Sequence, residues 1–113
     1  MAQTGRTSEA IDQYKQALRI IPNFADAHNN LGTALFQTGR TSEAIDQYEQ
    51  ALRINPSYAD AHSNLGAALG QMGRISEAIE QLKAALRINP NYIDARNNLT
   101  KLEALQKTTP ANK

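Results

Sequence analysis

Shifted against itself by 34 residues, the chain aligns residues 25–58 with residues 59–92, and 24 of those 34 positions are identical. Self-similarity at a fixed period marks an array built from one repeated supersecondary unit. The register reaches both ends: Gly5, Gly39 and Gly73 align, as do Pro22, Pro56 and Pro90, and Asn30, Asn64 and Asn98. The chain is therefore expected to be a single array over residues 1–107. It would hold a half repeat at 1–24 with one helix from about Thr7 to Ile21, full repeats at 25–58 and 59–92, and a capping helix at 93–107. Residues 108–113 read as a disordered polar tail.

Each unit reads as two helices. Ala and Leu dominate, only 5% of residues are aromatic, and there is no Trp, a composition that favours helix over sheet. The fold class expected is all-α, with about six helices. Within one unit, Leu31, Ala34 and Leu35 fall at helical spacing, and Gly39 follows where a left-handed residue can close a helix. Thr41 and Ser42 then offer capping hydroxyls and Glu43 suits a first turn. Ala44, Ile45, Tyr48, Ala51 and Leu52 form an apolar stripe that ends before Pro56. One such hairpin cannot bury both faces of its helices, so neighbours must stack, and regular stacking makes a curved solenoid. Gly32 and Gly66 inside the first helices are expected to let the second helices cross closely, opposite Ala44 and Ala78.

These residues resemble the tetratricopeptide repeat family, whose Leu-Gly, turn Gly, two spaced Ala and Pro are matched by Leu31-Gly32, Gly39, Ala44, Ala51 and Pro56. Leu65-Gly66, Gly73, Ala78, Ala85 and Pro90 repeat the match. His28 and His62 stand where that family often has a large aromatic residue. The resemblance implies a right-handed superhelical solenoid of antiparallel hairpins, with the first helix of each unit, helix A, on the concave side. It implies protein or peptide binding there and no cofactor.

On that reading Asn30, Asn64 and Asn98 form a column along the groove, flanked by Asn29, Ser63 and Asn97. Asp26, Asp60 and Asp94 lie one turn earlier, and Thr33, Ala67, Lys101, Gln37 and Gln71 lie further along. A carboxamide offers a donor and an acceptor together, which suits a peptide main chain. The ladder is similar to that in the repeat domain of O-linked N-acetylglucosamine transferase, where it holds bound polypeptide, although that enzyme's catalytic part has no counterpart here. Three amide contacts at about 0.5–1.5 kcal/mol each barely meet the roughly 4–15 kcal/mol cost of association, so binding to this array alone should be weak. The carboxylate clamp of co-chaperones resembles this groove less: its Asn is present, but Lys101 and Arg96 are few cations beside Asp60 and Asp94.

The array's ends raise a structural alternative. Thr100 replaces the packing Gly and Glu103 replaces Leu35 and Leu69, so the last helix should turn Leu99, Leu102 and Leu105 inward and face water on its other side. The first helix, with no helix A before it, should expose Ala10, Ile11, Tyr14 and Ala17. Either the chain is the end of a longer array, or these are candidate self-association residues through which it forms a homo-oligomer, head to tail or about a two-fold axis.

Other classes fit less well. An enzyme needs a nucleophile with a base, a carboxylate pair or a metal cluster, yet the 2 histidines are copies of one position. Arg6, Arg40, Arg74 and Arg19, Arg53, Arg87 recur, but with a net charge of +1 and acids alongside they read as solvated surface rather than a nucleic-acid track. The Asn98-Leu99-Thr100 triplet lies in a helix and is given no role as a glycosylation acceptor. No apolar run reaches the roughly 20 residues of a membrane span and the N-terminus is polar. A cytoplasmic protein without a membrane partner is the expectation.

Overall fold

A computed structural model of the chain describes residues 2–108. Six helices follow one another: α1 (Ala2–Ile20), α2 (Ala25–Gln37), α3 (Thr41–Ile54), α4 (Ala59–Gln71), α5 (Ile75–Ile88) and α6 (Ile93–Lys107). No strand occurs among the described residues. The pairs α2/α3 and α4/α5 are the two hairpins, α1 packs on α2, and α6 packs on α5. The A helices also touch in sequence, α2 with α4 and α4 with α6. The result is an all-α helical-repeat solenoid of 45 × 32 × 24 Å with a radius of gyration of 14.6 Å, longer than the roughly 13 Å of a compact chain this size.

The apolar stripes meet as the periodicity requires. Leu31 and Leu35 of α2, Ile45 and Tyr48 of α3, and Leu65 and Leu69 of α4 form one buried cluster with Ile11 of α1. A second cluster joins Leu82 and Ala85 of α5 to Ala95 of α6, and Leu102 packs against both. Each Leu or Ile so enclosed contributes about 1.5–3 kcal/mol relative to exposure. The core is thus spread along the array rather than centred.

The A-to-B turn closes on Gly39, whose φ of +84° is left-handed. Its N–H donates to Phe36 O at 3.0 Å and the Arg40 N–H to Leu35 O at 2.9 Å, satisfying carbonyls at the end of α2. Gly73 repeats this in the second unit with φ +81°. The B-to-A turn uses Asn-Pro instead: Asn55 Oδ1 accepts the Ser57 N–H, and Asn89 Oδ1 the Asn91 N–H, both at 3.2 Å.

Several expectations are corrected. Arg40, not Thr41 or Ser42, is the N-cap of α3, and no side-chain cap bond forms. Thr41 is turned into the packing, as its apolar counterpart Ile75 would require, while Arg40 pairs with Glu43. Gly5 lies inside α1, which starts earlier than Thr7. Gly32 and Gly66 do face the next helix closely, but mainly against Tyr48 and Leu82; Ala78 contributes only its carbonyl, near Gly66. Leu105 is 49% exposed, because Leu99 and Leu102 already fill the contact with the cores. The tail expected to be disordered lies, beyond Thr108, outside the described residues.

Candidate functional site

The A helices begin the same way. An aromatic residue, Phe24, Tyr58 or Tyr92, occupies each N-cap in extended backbone without a side-chain cap bond. The two tyrosines reach back to the preceding A helix. Tyr58 OH accepts from Asn29 Nδ2 at 3.4 Å, and the Asp26 carboxylate lies beside it. Burial first, and then Asp26, push the Tyr58 phenol up to about 12. Tyr92 repeats the arrangement with Asp60 and Ser63, its pKa raised chiefly by burial.

These bonds sort the candidate groove residues. Asn29 and Ser63 are buried at 6% and 5% exposure. Asn29 also accepts from Asn64 Nδ2 at 3.0 Å, so both ends of its carboxamide are used within the fold. Thr33 is likewise engaged, donating to Asn29 O at 3.2 Å and meeting Tyr48 OH at 3.1 Å. Asn29 is thus engaged between A helices and Thr33 within its own hairpin, while Thr33 and Ser63 also border the clefts between helices. Asn29 and Ser63 are engaged because α2 and α4 each receive the tyrosine at the N-cap of the A helix that follows.

The remaining candidates gather at two clefts on the face shared by the A helices. One, of about 310 Å³, runs between α4 and α6 and is lined by Asn64, Ala67, Tyr92, Asp94, Asn97, Asn98 and Lys101, with Ser63 at its floor. It brings together three carboxamides, a carboxylate and an ammonium. Gln71 lies further along, where Asn98 and Lys101 also border a smaller recess with Leu102. The other cleft, of about 590 Å³, lies between α1 and α2 and holds Asn30, Thr33 and Gln37 opposite Ala10 and Tyr14. Asp26 and Asp60 are exposed at the N-terminal ends of α2 and α4.

The self-association residues divide. Ile11 is buried at 4% exposure, contrary to expectation, because it points into the α2–α3 core. Ala10, Tyr14 and Ala17 remain part-exposed. The histidines serve the hairpins: His28 Nε2 lies 2.9 Å from Pro22 O and its Nδ1 2.8 Å from the Gln47 carboxamide. His62 repeats both contacts with Pro56 and Gln81, and Arg96 donates to Pro90 O at 2.8 Å from the corresponding place. Sequence reasoning missed Tyr58 and Tyr92 as site residues, though an aromatic recurring at the 34-residue period beside Pro was the signal for them.

The sequence profile of the TPR repeat matches residues 2–39 and 32–73, and that of the tetratricopeptide repeat matches 59–92. The chain belongs to the tetratricopeptide repeat family. Among solved structures it is similar to the first TPR of Spaghetti (RPAP3) bound to the HSP90 peptide SRMEEVD, with 28% identity, 93% of this chain and 83% of that one covered, and a TM-score of 0.89. The first TPR domain of human RPAP3 gives 26%, 98%, 87% and 0.91 on the same measures, and the Sgt2 TPR domain from Aspergillus fumigatus 28%, 96%, 72% and 0.86. No curated protein sequence matches the chain. Among the described residues no helix is long and apolar enough to cross a membrane. The tetratricopeptide fold is that of a protein-interaction module.

Proposed function

We propose that this tetratricopeptide chain holds an extended polypeptide along its concave A-helix face, with the cleft between α4 and α6 as the principal contact and no catalytic step. The observation that carries this reading is the convergence of Asn64, Asn97 and Asn98 on one cleft with Asp94 and Lys101. Carboxamides can pair with the N–H and C=O of a passing main chain whatever its side chains. Asn64 already spends one N–H on Asn29, which orients its carboxamide and lowers the entropy lost on gripping a ligand. Asn30 and Gln37 extend the polar track toward α1.

The peptide bound by a similar structure supplies a comparison. SRMEEVD is acidic, whereas this face carries Asp26, Asp60 and Asp94 against Lys101 and, at the α1–α2 cleft, Arg6. Neutral or basic extended segments are therefore the preferred class, bound weakly, in the micromolar range or above, because few contacts offset the cost of association. Titration of labelled neutral, basic and acidic peptides into the chain, and into Asn98→Ala, tests this. Preference for the basic peptide with loss on Asn98→Ala is expected; equal binding by the variant would sink the groove assignment.

A further inference from the structure

A relay of hydrogen bonds runs from α2 into the α4–α6 cleft, and the chemistry of its first member fixes the sense of every bond in it. Asp26 of α2 stands beside the hydroxyl of Tyr58, the N-cap of α4. An ionised carboxylate can only accept, so the phenol proton points to Asp26 and the phenol oxygen is left to accept. Asn29 Nδ2 donates to that oxygen at 3.4 Å. This turns Asn29 Oδ1 the other way, where it accepts from Asn64 Nδ2 at 3.0 Å. After burial, the largest effect, Asp26 pushes the phenol's pKa up while Asn29 pulls it down, as an acceptor and a donor must. Without the carboxylate the hydroxyl could donate to Asn29 instead, and both carboxamides could turn over. The relay is interior to the array: α1 packs on α2, and α5 and α6 touch α4.

We infer that Tyr58 is a positioning residue for Asn64: acting through Asn29, it holds the Asn64 carboxamide with Nδ2 tied to the fold and Oδ1 free to accept a main-chain N–H of a polypeptide in the α4–α6 cleft. This rests on the groove reading above and adds to it which end of the carboxamide meets the ligand. One N–H of Asn64 also remains, so its two oxygen lone pairs face the ligand against a single donor. Asn64 therefore selects for ligand groups that donate, with fewer side-chain states to freeze on binding.

The next unit lacks the device. Ser63 takes the place of Asn29, and its single O–H goes to the Tyr92 hydroxyl. Among the described residues no side-chain bond fixes the carboxamide of Asn98, the counterpart of Asn64 in α6. Asn98 can thus present either end, and of the pair it is Asn64 whose sense is set.

The test titrates a labelled basic peptide of alternating Ser and Lys into the full chain, Tyr58→Phe, Asn64→Ala and the double variant, with affinity read by fluorescence anisotropy. Tyr58→Phe keeps the ring and removes only the hydroxyl. It should weaken binding roughly threefold to tenfold, the worth of one well-placed hydrogen bond, and should change nothing once Asn64 is replaced. An equal loss in both backgrounds is what general loosening of the joint would give, and it overturns the inference. So does a Tyr58→Phe chain that binds like the unaltered one. Asn98→Ala separates the two readings, because Asn98 lines the cleft outside the relay. A loss there with no effect of Tyr58→Phe leaves the groove standing without its relay, whereas no binding by the unaltered chain removes both. In the free chain, the side-chain amide signals of Asn29 and Asn64 should shift and exchange faster with water in Tyr58→Phe; unchanged signals would also overturn the inference.

Discussion

The Tyr48 ring lies over Gly32 so closely that a Cβ on the glycine would stand 2.7 Å from Cε1. This contact fixes how near α3 approaches α2, and the next unit repeats it with Leu82 over Gly66. There the added Cβ would also meet the Ala78 backbone carbonyl at 3.2 Å, which cannot rotate away. Helix propensity favours Ala over Gly by about 1 kcal/mol, but overpacking costs about 1–3 kcal/mol. Gly32→Ala and Gly66→Ala should therefore be net destabilising in urea unfolding, Gly66→Ala the more so. Gly5 lies in α1, where a methyl group would have nothing within 4 Å of it, so Gly5→Ala should stabilise by about 0.5–1 kcal/mol.

His28 ties the start of α2 to the preceding turn and to α3. The Pro22 carbonyl can only accept, so Nε2 carries the proton in that contact. His28→Ala removes both links and should cost about 1–2 kcal/mol. Arg96 reaches Pro90 O from the equivalent place, so His28→Arg should recover part of that loss. Parallel thermal melts of the three proteins check the order, and an Arg variant no better than Ala would show that the tie to Pro22 O adds nothing to stability.

How much was readable before the structure follows from which contacts are local. The 34-residue period, the turn glycines and the Ala-Leu stripes are properties of one unit repeated, so helix number, order and the stacked core were legible. The groove column was legible only as a set of positions. Whether a carboxamide faces a ligand or the fold depends on its neighbour: Asn29 is used up by Tyr58, the N-cap of α4, and by Asn64 within α4. Likewise the partner of Gly32 depends on the angle at which α3 crosses, which no spacing reports. Ile11 was misread as exposed because its stripe was judged apart from α2, on which α1 packs and whose buried cluster Ile11 joins.

Tyr58 should report the joint between the two repeats at high pH. Burial and the Asp26 carboxylate raise its phenol from 10.0 to about 12, so the folded state favours the neutral form. That contribution is intact below pH 10 and is lost as pH climbs through about 12. Tyrosinate absorbance should rise late for three of the chain's 4 tyrosines, latest for Tyr58, with Tyr48 and Tyr92 also displaced upward by burial. Tyr58→Phe should delete the latest step and flatten the alkaline loss of stability. An unchanged titration curve in that variant would detach the shift from Tyr58.

Charge on the groove should decide which peptides it accepts. Asp94 borders the α4–α6 cleft with a single ammonium, Lys101, while Asp60 stands at the start of the adjacent helix beside Tyr92. A peptide such as SRMEEVD brings two glutamates, an aspartate and a terminal carboxylate against that face, each repelled by about 1 kcal/mol at close range in a well-solvated site. Asp94→Lys should therefore raise affinity for the acidic peptide roughly tenfold or more and weaken binding of a basic one. Both changes should shrink as salt rises, since the Debye length falls to about 3 Å at 1 M. Asp60→Asn should act in the same direction but less, because it removes one charge without adding its opposite, and it also takes an acceptor from the Tyr92 hydroxyl. Fluorescence anisotropy at low and high salt measures all of these. If Asp94→Lys leaves the ranking of acidic and basic peptides unchanged, the ligand does not pass through the α4–α6 cleft.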